Sequence, residues 1–462
     1  MADDEEEPKF PANGLHKAAY SGDLSLLRSL LEQDFYKQSI DKLDDRGNSA
    51  LHIAAHFGNL PLCDCLLDAG ANVTLRNYGG WTPLHESLAC GSFSTSRKLL
   101  YATQKKMQAE FRKRCDKVLE ELPKLPDFYL EMNWAFSSWV PLVSRFCPHD
   151  SYKIWKKGSF VRVDTTLAGM ENNSWTRANT TFLFTGKDAE RPGEMVVMDH
   201  DKKIMQWASD VIMNMKAADR ETRFMMSENI QRTKINSKQI SVTPCKTWLG
   251  YEKTEQVAGL WDSTMYNTGN ISVNTTVRAD STLQKKTMRK NKRTIKEPYL
   301  SSEEYFDSKQ FMKGMLWPTE SVSMKSREFE GHVWLCEDFP LKIEELLPIL
   351  SLLSPSSRHV KKLEDFMEAQ MHLQKGFPVK LNFPVFPSIS VTATFGKYEE
   401  WDEEERDEEE IFFVHDYTLE TREEYKIRQD ELKRKEKDKD GKKEKEEKEG
   451  IEKEKEKEKE KE

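Results

Sequence analysis

Histidines recur at a regular interval in the N-terminal part of the chain, and they are the most conspicuous groups there that could do chemistry. His16, His52 and His85 each follow a leucine. Such histidines could serve as acid–base groups or metal ligands. Because each one occupies the same place in a repeated motif, we instead predict a structural role, in which the imidazole bonds back to the residue that begins a helix.

The other residues that could carry chemistry form no recognisable catalytic or metal-binding arrangement. The closest pair of cysteines, Cys63 and Cys65, has a spacing that fits neither a zinc pair nor a disulfide framework. Asp164-Thr165-Thr166 could form a nucleophile-bearing turn, but no base lies at a spacing known from catalytic motifs. The chain also lacks a phosphate-binding loop and a zinc-peptidase motif. We therefore predict a protein that is not an enzyme and has no cofactor, no metal and no small-molecule substrate.

Charge and hydropathy narrow the range of partners and compartments. The formal net charge is -8, and residues 399–410 carry nearly all of it, so the sequence does not predict nucleic acid as a partner. The odd count of 7 cysteines predicts a reducing compartment. We find neither a signal peptide nor a run of about 18 apolar residues. We therefore expect a chain that neither enters the secretory lumen nor spans a membrane.

A repeated segment organises residues 11–100. Its three copies begin at Gly14, Ala50 and Pro83, and each continues through a helix-ending glycine to a pair of leucines. The last two histidines are spaced at the ankyrin period of roughly 33 residues. The segment therefore resembles about three ankyrin repeats, which form an all-α solenoid. Since three repeats are the minimum for a stable stack, we expect the array to pack against later parts of the chain.

The resemblance to ankyrin repeats indicates where a partner would bind. Such repeats recognise partners through their hairpin tips and concave face. The candidate protein-binding residues at the tips are Asp45, Arg46, Asn48, Asn77, Tyr78 and Trp81. Trp81 could equally pack against the neighbouring hairpin. An aromatic-rich stretch further along the chain adds Trp134 and Trp139, although core packing would explain most of its aromatic residues as well.

The rest of the chain changes character three times. Residues 101–125 have the periodicity of an amphipathic helix, which we expect to cap the repeats and link them to the next domain. Residues 126–396 contain many short runs with period two and a few helical segments, which predict a β-rich domain. Residues 397–462 are first acidic and then alternate Lys and Glu, which predicts a disordered tail. The fold class that we predict is therefore α+β and multidomain.

A basic run at residues 285–296 interrupts the predicted β-rich domain. A solvated loop would explain it, and the alternatives are a nuclear signal or a patch for anionic lipid.

Long motifs in residues 126–396 resemble the region that the ankyrin-repeat-domain-13 proteins share, which is known as the GPCR-chaperone domain. The motifs that carry this resemblance are Asp127-Phe128-Tyr129-Leu130-Glu131, Phe136-x-Ser138-Trp139-Val140-Pro141-Leu142, Arg162-x-Asp164-Thr165-Thr166-Leu167, Gly376-Phe377-Pro378-Val379-Lys380-Leu381 and Pro384-Val385-Phe386-Pro387. The similarity runs over residues 11–396 and keeps the family's order, with the ankyrin repeats first.

The resemblance implies a function and a location. It implies a non-enzymatic chaperone or quality-control protein that assists the biogenesis and retention of G-protein-coupled receptors. The expected location is cytoplasmic, peripheral at the endoplasmic reticulum membrane. The partners would be newly made G-protein-coupled receptors or other polytopic membrane proteins.

Two alternatives stay open. One branch of the family ends in ubiquitin-interacting helices and acts as an endocytic adaptor for membrane receptors. Here the acidic block is followed by Ile411-Phe412-Phe413-Val414, which lacks the Leu/Ala-x-x-Ser face that such a helix needs. The chain therefore resembles more closely the branch without these helices. The second alternative is a nuclear ankyrin scaffold that uses the basic run.

Overall fold

The structure, a computed structural model, divides the chain into two compact units. The first comprises Met1–Glu121, Met132–His149 and Ile212–Tyr398, and the second comprises Leu122–Glu131, Asp150–Val211 and Glu399–Glu462. The residues that the structure describes are 13–138, 140, 147–171, 174–211, 215–236, 241–278, 301–307, 322–354, 358–370, 376–386, 389–401, 411–412 and 416–419. The basic run at residues 285–296 therefore lies outside the described residues.

Helices dominate the N-terminal part and return near the end of the first unit. The α-helices that the structure describes are α1 (Gly14–Ser21), α2 (Leu24–Leu31), α3 (Asp34–Gln38), α4 (Ala50–His56), α5 (Leu60–Asp68), α6 (Pro83–Cys90), α7 (Phe93–Glu121), α8 (Ala208–Val211), α9 (Met215–Met225), α10 (Ser302–Asp307), α11 (Ile343–Leu353) and α12 (Arg358–Gln370). A 3-10 turn covers Leu122–Lys124.

Strands make up most of the residues that the structure describes after residue 127. Those that the structure describes are β1 (Phe128–Ser138), β2 (His149–Lys157), β3 (Phe160–Glu171), β4 (Ser174–Phe184), β5 (Met195–Asp199), β6 (Ile204–Trp207), β7 (Ile230–Asn236), β8 (Ser241–Pro244), β9 (Thr254–Val257), β10 (Trp261–Arg278), β11 (Val322–Cys336), β12 (Phe377–Phe386), β13 (Ile389–Glu400) and β14 (Thr418–Leu419). The expectation of a sheet-rich region after the helical repeats is confirmed.

The three predicted repeats are present as the helix pairs α1–α2, α4–α5 and α6–α7. Their helices start where the sequence supplies a cap, since the Asn59 side chain accepts a hydrogen bond from the Leu62 amide at the start of α5. The helix α6 ends at Gly91, whose φ of 75° is a left-handed conformation that suits glycine. The repeats therefore form for local reasons that can be read from the motif.

The predicted capping helix at residues 101–125 is not a separate element. It is the continuation of α7, which runs without a break from Phe93 to Glu121 as the second helix of the third repeat. The helix continues because apolar side chains such as Cys115 and Val118 still find buried positions far beyond the repeat. This long helix replaces the boundary that we predicted at residue 101.

The sheet of the first unit lies next to the repeats in a shared core. Its strand order is β1-β13-β12-β11-β10-β7, and β8 and β9 also pair with β10. Ala218 of α9, Ile230 of β7 and Tyr305 of α10 belong to the same hydrophobic core as the repeat helices. The expectation that the short ankyrin array packs against later parts of the chain is confirmed.

In the second unit the strands follow the order β14-β6-β5-β4-β3-β2. Its core contains Phe160, Leu183, Val196 and Met198, together with Phe412, which follows the acidic block at residues 399–410. The boundaries of this unit differ from the predicted single domain at residues 126–396, because the division between the units falls within β1 and β13.

The start of the predicted disordered tail needs correction. Residues 401, 411–412 and 416–419 of the predicted tail 397–462 are part of the second unit, where Phe412 is 2% exposed. The Arg162 guanidinium donates a hydrogen bond to the Ile411 carbonyl at 2.8 Å. The reason is composition, since aromatic and aliphatic residues interrupt the acidic block and can be buried, unlike the charges around them.

Candidate protein-binding surfaces

The repeated histidines hold the hairpins of the repeats together. His85 Nδ1 accepts a hydrogen bond from the Thr82 amide and lies 2.6 Å from the Thr82 hydroxyl. His52 repeats this arrangement with Ser49, and its Nε2 lies 3.0 Å from the Trp81 carbonyl oxygen. Burial lowers the pKa of His85 to about 4, so the ring is neutral at physiological pH. The predicted bond back to the start of the helix is confirmed for His52 and His85. His16 is also buried, but its Nε2 lies 3.0 Å from the Lys42 carbonyl oxygen instead, and α1 begins without a side-chain cap bond.

Two buried amides tie neighbouring hairpin tips to each other. The Asn77 amide donates to the Asn48 side-chain oxygen at 2.9 Å and to Glu86 Oε1 at 3.1 Å. The Asn48 amide in turn donates to the Tyr305 hydroxyl at 3.1 Å. Both asparagines are buried, at 0% and 4% exposure for Asn48 and Asn77. These two candidate residues are therefore part of an internal network that joins the tips to α10.

A buried ion pair lies at the centre of that network. Arg278 Nη1 at the end of β10 donates to Glu86 Oε2 at 3.0 Å, and His56 Nδ1 lies 3.2 Å from the same oxygen. Burial alone would raise the pKa of Glu86, but the Arg278 charge and the hydrogen bond to His56 outweigh it and lower the pKa to about 2. Glu86 therefore stays ionised inside the repeats.

Sequence reasoning missed this ion pair, although one signal was available. Glu86 follows its motif histidine at the position that Ile53 occupies in the preceding repeat, and Ile53 is fully buried. An acidic residue at a position that the repeat buries requires a cationic partner. Only the identity of that partner, Arg278, depends on the fold.

The short helix α10 covers the first hairpin tip. Arg46 Nε donates to the Tyr305 carbonyl at 2.7 Å, and the guanidinium lies 4.6 Å from the centre of the Tyr305 ring. The Tyr305 hydroxyl donates to Asp44 Oδ2 at 2.8 Å. With the ring of Tyr20 4.7 Å away, Tyr305 is 1% exposed. The chain itself therefore occupies the place where a partner would contact Arg46.

The predicted tip residues thus fall into two groups. Arg46, Asn48, Asn77 and Trp81 are buried, and the Trp81 ring lies 5.6 Å from the His85 ring. Asp45 is exposed, as is 57% of Tyr78. Of the predicted tip residues, these last two are the ones that a partner could reach without displacing part of the chain.

Trp134 lines an apolar pocket of about 90 Å³ in the first unit. The lining is contributed by β1, α12, β12 and β13, through Met132, Trp134, Phe136, Val360, Leu363, Phe366, Leu381, Phe383, Val391 and Ala393. Alternate residues of a strand share one face, which is how Met132, Trp134 and Phe136 all reach the pocket. The other predicted aromatic candidate, Trp139, lies outside the described residues.

The pocket has the size and chemistry of a site for an apolar side chain. Its lining side chains are apolar, so the pocket offers water few hydrogen-bond partners. Phe136, Leu363 and Phe383 are only partly buried, so the pocket is open at the surface. It could therefore accept a leucine-sized or larger side chain from outside.

Over the described ranges, His, Cys, Asp and Glu side chains form no group of three or more that could hold a metal ion. Within the same part of the chain, none of the helices combines the length and the apolar character needed to cross a lipid bilayer.

Repeats joined to a sheet-rich region that shares their core define an ankyrin-repeat protein with a specialised C-terminal part. The profile of ankyrin repeats in three copies matches residues 15–109. The profile described as ANKRD13 C-terminal matches residues 162–316 and 280–459. The chain belongs to the ankyrin-repeat-domain-13 family, and its repeats give it a protein-binding role.

Individual members of the family support this assignment. Ankyrin repeat domain-containing protein 13C of Xenopus tropicalis is 32% identical over 409 residues, which cover 83% of this chain and 79% of that protein. The human 13C protein is 31% identical over 84% of this chain and 75% of its own length. The mouse 13B protein is 31% identical over 79% of this chain, which spans 64% of that relative.

Proposed function

We propose that this protein is a non-enzymatic chaperone or quality-control factor for newly made G-protein-coupled receptors and other polytopic membrane proteins. It acts at the cytosolic face of the endoplasmic reticulum. Family membership supports a protein-binding role, and the resemblance to the GPCR-chaperone region supports this class of client. The observation that carries the proposal is the open apolar pocket, because it offers a site for apolar side chains that an unassembled membrane protein exposes.

The stretches that carry the family resemblance contribute to this pocket. Phe136 belongs to one of the motifs near residue 130, and Leu381 belongs to the closing motif, yet both line the same cavity. Burial of one large apolar side chain contributes about 1.5–3 kcal/mol. A client held by one or two such side chains would be bound weakly and released without ATP, as the proposed function requires.

The tips would add specificity to this contact. An interface of standard size needs about 800 Å² from each partner. Asp45 and Tyr78 alone supply far less, because the other predicted tip residues are buried by the chain itself. We therefore assign most of the client contact to the pocket and a smaller, selective part to these two exposed residues.

Filling the pocket tests the proposal. Ala393→Leu adds an aliphatic side chain to the lining, and it should lower the co-precipitation of a newly made receptor about tenfold, since it removes roughly one side chain's worth of burial. The matched control is Thr394→Leu, because the next residue of β13 points to the opposite face of the sheet. Equal capture by both variants and the wild type would overturn the assignment of the pocket.

The location of the tagged full chain separates this function from its alternatives. Imaging against endoplasmic reticulum, endosomal and nuclear markers distinguishes the chaperone, the endocytic adaptor and the nuclear scaffold. Burial of Phe412 in the core of the second unit disfavours the adaptor, because a ubiquitin-binding helix there would have to expose an apolar face. Accumulation on endosomes would contradict the chaperone proposal.

A further inference from the structure

A sharp turn between β8 and β9 holds three large apolar side chains in solvent. Trp248, Leu249 and Tyr251 are 92%, 60% and 72% exposed. A single exposed hydrophobic residue is ordinary, but several together at the end of a turn indicate an interaction site. None of the three lines the apolar pocket, and none takes part in the described hydrogen bonds of the ankyrin tips.

Backbone hydrogen bonds fix the shape of this turn. The Thr247 amide donates to the Tyr251 carbonyl at 2.8 Å, and the Gly250 amide donates to the Thr247 carbonyl at 2.9 Å. Gly250 has a φ of 86°, a left-handed conformation that a side chain would strain. Below the tip, Lys246 and Glu252 form an antiparallel bridge. The apolar tip is therefore presented in one conformation and loses little entropy when it binds.

The base of the turn is joined to the sheet of the first unit. The Cys245 amide donates to the Met265 carbonyl of β10, and the Met265 amide donates to the Lys253 carbonyl, both at 2.8 Å. The Lys253 amide closes the ladder by donating to the Cys245 carbonyl at 2.8 Å. These bonds hold the tip in a fixed orientation relative to the sheet of the first unit.

We propose that this turn inserts into the interfacial layer of an anionic phospholipid membrane. Trp and Tyr concentrate at this layer because each has an apolar ring and a polar group that stays hydrated. Lys246 and Lys253 are exposed on the two sides of the base, where lipid phosphates would lie, and Glu252 offsets one of these two charges. The turn therefore has an apolar tip, aromatic rings that carry polar groups, and a small net positive charge where it joins the sheet.

The size of the tip favours a membrane over a protein partner. Large aromatic side chains bury about 150–250 Å² each. Three side chains of this class therefore fall below the ~800 Å² per partner of a standard protein interface. The tip is also convex, so a protein would need a matching cavity, whereas a lipid layer needs no preformed complement. This inference does not depend on the client that we propose for the pocket.

Vesicle binding of the full chain tests the inference. Sedimentation with vesicles of phosphatidylcholine and phosphatidylserine should show binding that falls about tenfold or more when Trp248→Ser and Leu249→Ser are combined. Lys246→Glu with Lys253→Glu should weaken binding to these vesicles and leave binding to pure phosphatidylcholine unchanged. The matched control is Leu260→Ser, since Leu260 is 55% exposed at the other end of β9, and its binding should equal that of the wild type.

Two results would overturn the inference. The first is the absence of vesicle binding by the wild type, and the second is equal binding by the wild type and the Trp248→Ser/Leu249→Ser variant. If that variant binds vesicles normally but loses receptor capture, the turn is a protein contact. Circular dichroism and thermal unfolding of each variant keep a folding defect from being mistaken for lost binding. Receptor capture measured with Ala393→Leu tests the proposed function separately.

Discussion

The ankyrin tips and the apolar pocket belong to the same unit, yet they are built in opposite ways. At the tips, Glu86, Asn48 and Asn77 are buried polar groups whose partners come from the chain itself. The pocket is lined by apolar side chains alone, and several of these, such as Phe383, remain partly exposed. These polar groups of the tips are hydrogen-bonded within the chain, whereas the pocket exposes apolar surface that another molecule could cover.

This difference shows that the tips of a short ankyrin array can be covered by the chain itself. Three repeats are the minimum for a stable stack, so the array gains from packing against other parts of the chain. Here Arg278 and Tyr305 complete the array, and they do so at the positions that longer arrays offer to partners. In the function that we propose, the recognition of clients therefore falls mainly to another part of the unit.

The largest effect that we expect comes from breaking the ion pair at the tips. Glu86→Ala would leave Arg278 charged and buried without its carboxylate, which should lower the free energy of unfolding by about 3–5 kcal/mol. Denaturant unfolding of the full chain measures this loss. The control is Glu110→Ala, because its pair with Lys106 has a 58% exposed carboxylate and should contribute less than about 1 kcal/mol. Similar losses for the two variants would refute the internal role of Glu86.

Tyr305→Phe should have the next largest effect. It removes a hydroxyl that donates to Asp44 and accepts from Asn48, so two buried polar groups lose a partner. We expect a loss of about 2–3 kcal/mol in the free energy of unfolding, since one of the bonds involves a carboxylate. Tyr78→Phe, at an exposed tip position, should change stability little. A neutral Tyr305→Phe variant would mean that α10 does not hold the first tip.

A smaller effect should appear when the pH is lowered. The pKa of His85 falls from its ordinary 6.5 to about 4 in the folded protein, so the unfolded chain takes up a proton first. The stabilisation is complete above pH 6.5 and is lost as the pH falls towards 4, which amounts to about 2 kcal/mol at roughly pH 5. His85→Gln, which keeps a capping side chain, should flatten this dependence in urea unfolding. An unchanged slope would contradict the assignment.

Local patterns account for the parts of the fold that the sequence predicted. The repeat motif predicts the helix pairs and the contacts of His52 and His85, because each of these two histidines bonds to a residue only three positions away. The alternating runs predict strands because side chains of a strand point to opposite faces in turn, which is also a local property. The extension of α7 was predicted as a separate capping helix at residues 101–125, because the periodicity of apolar residues cannot tell one continuous helix from two.

Contacts between distant parts of the chain could not be predicted in this way. Glu86 and Arg278 are 192 residues apart, and Asn48 and Tyr305 are 257 residues apart. Nothing in either local sequence specifies such a pairing. The lining of the pocket could not be predicted from the sequence either. Trp134 was a candidate on composition, but Phe383 and Ala393 join the pocket only through the order of strands in the sheet.

Site-specific photo-crosslinking tests most directly whether clients bind at the pocket more than at the ankyrin tips. A photoreactive phenylalanine analogue would replace Phe383 at the pocket, Tyr78 at the second tip, or Phe35, which is 44% exposed and serves as background. The full chain would be irradiated with a newly made receptor, and the crosslinked receptor quantified. We predict a strong crosslink from position 383, a weaker one from 78 and background from 35. A crosslink from position 78 with only background from 383 would contradict the account.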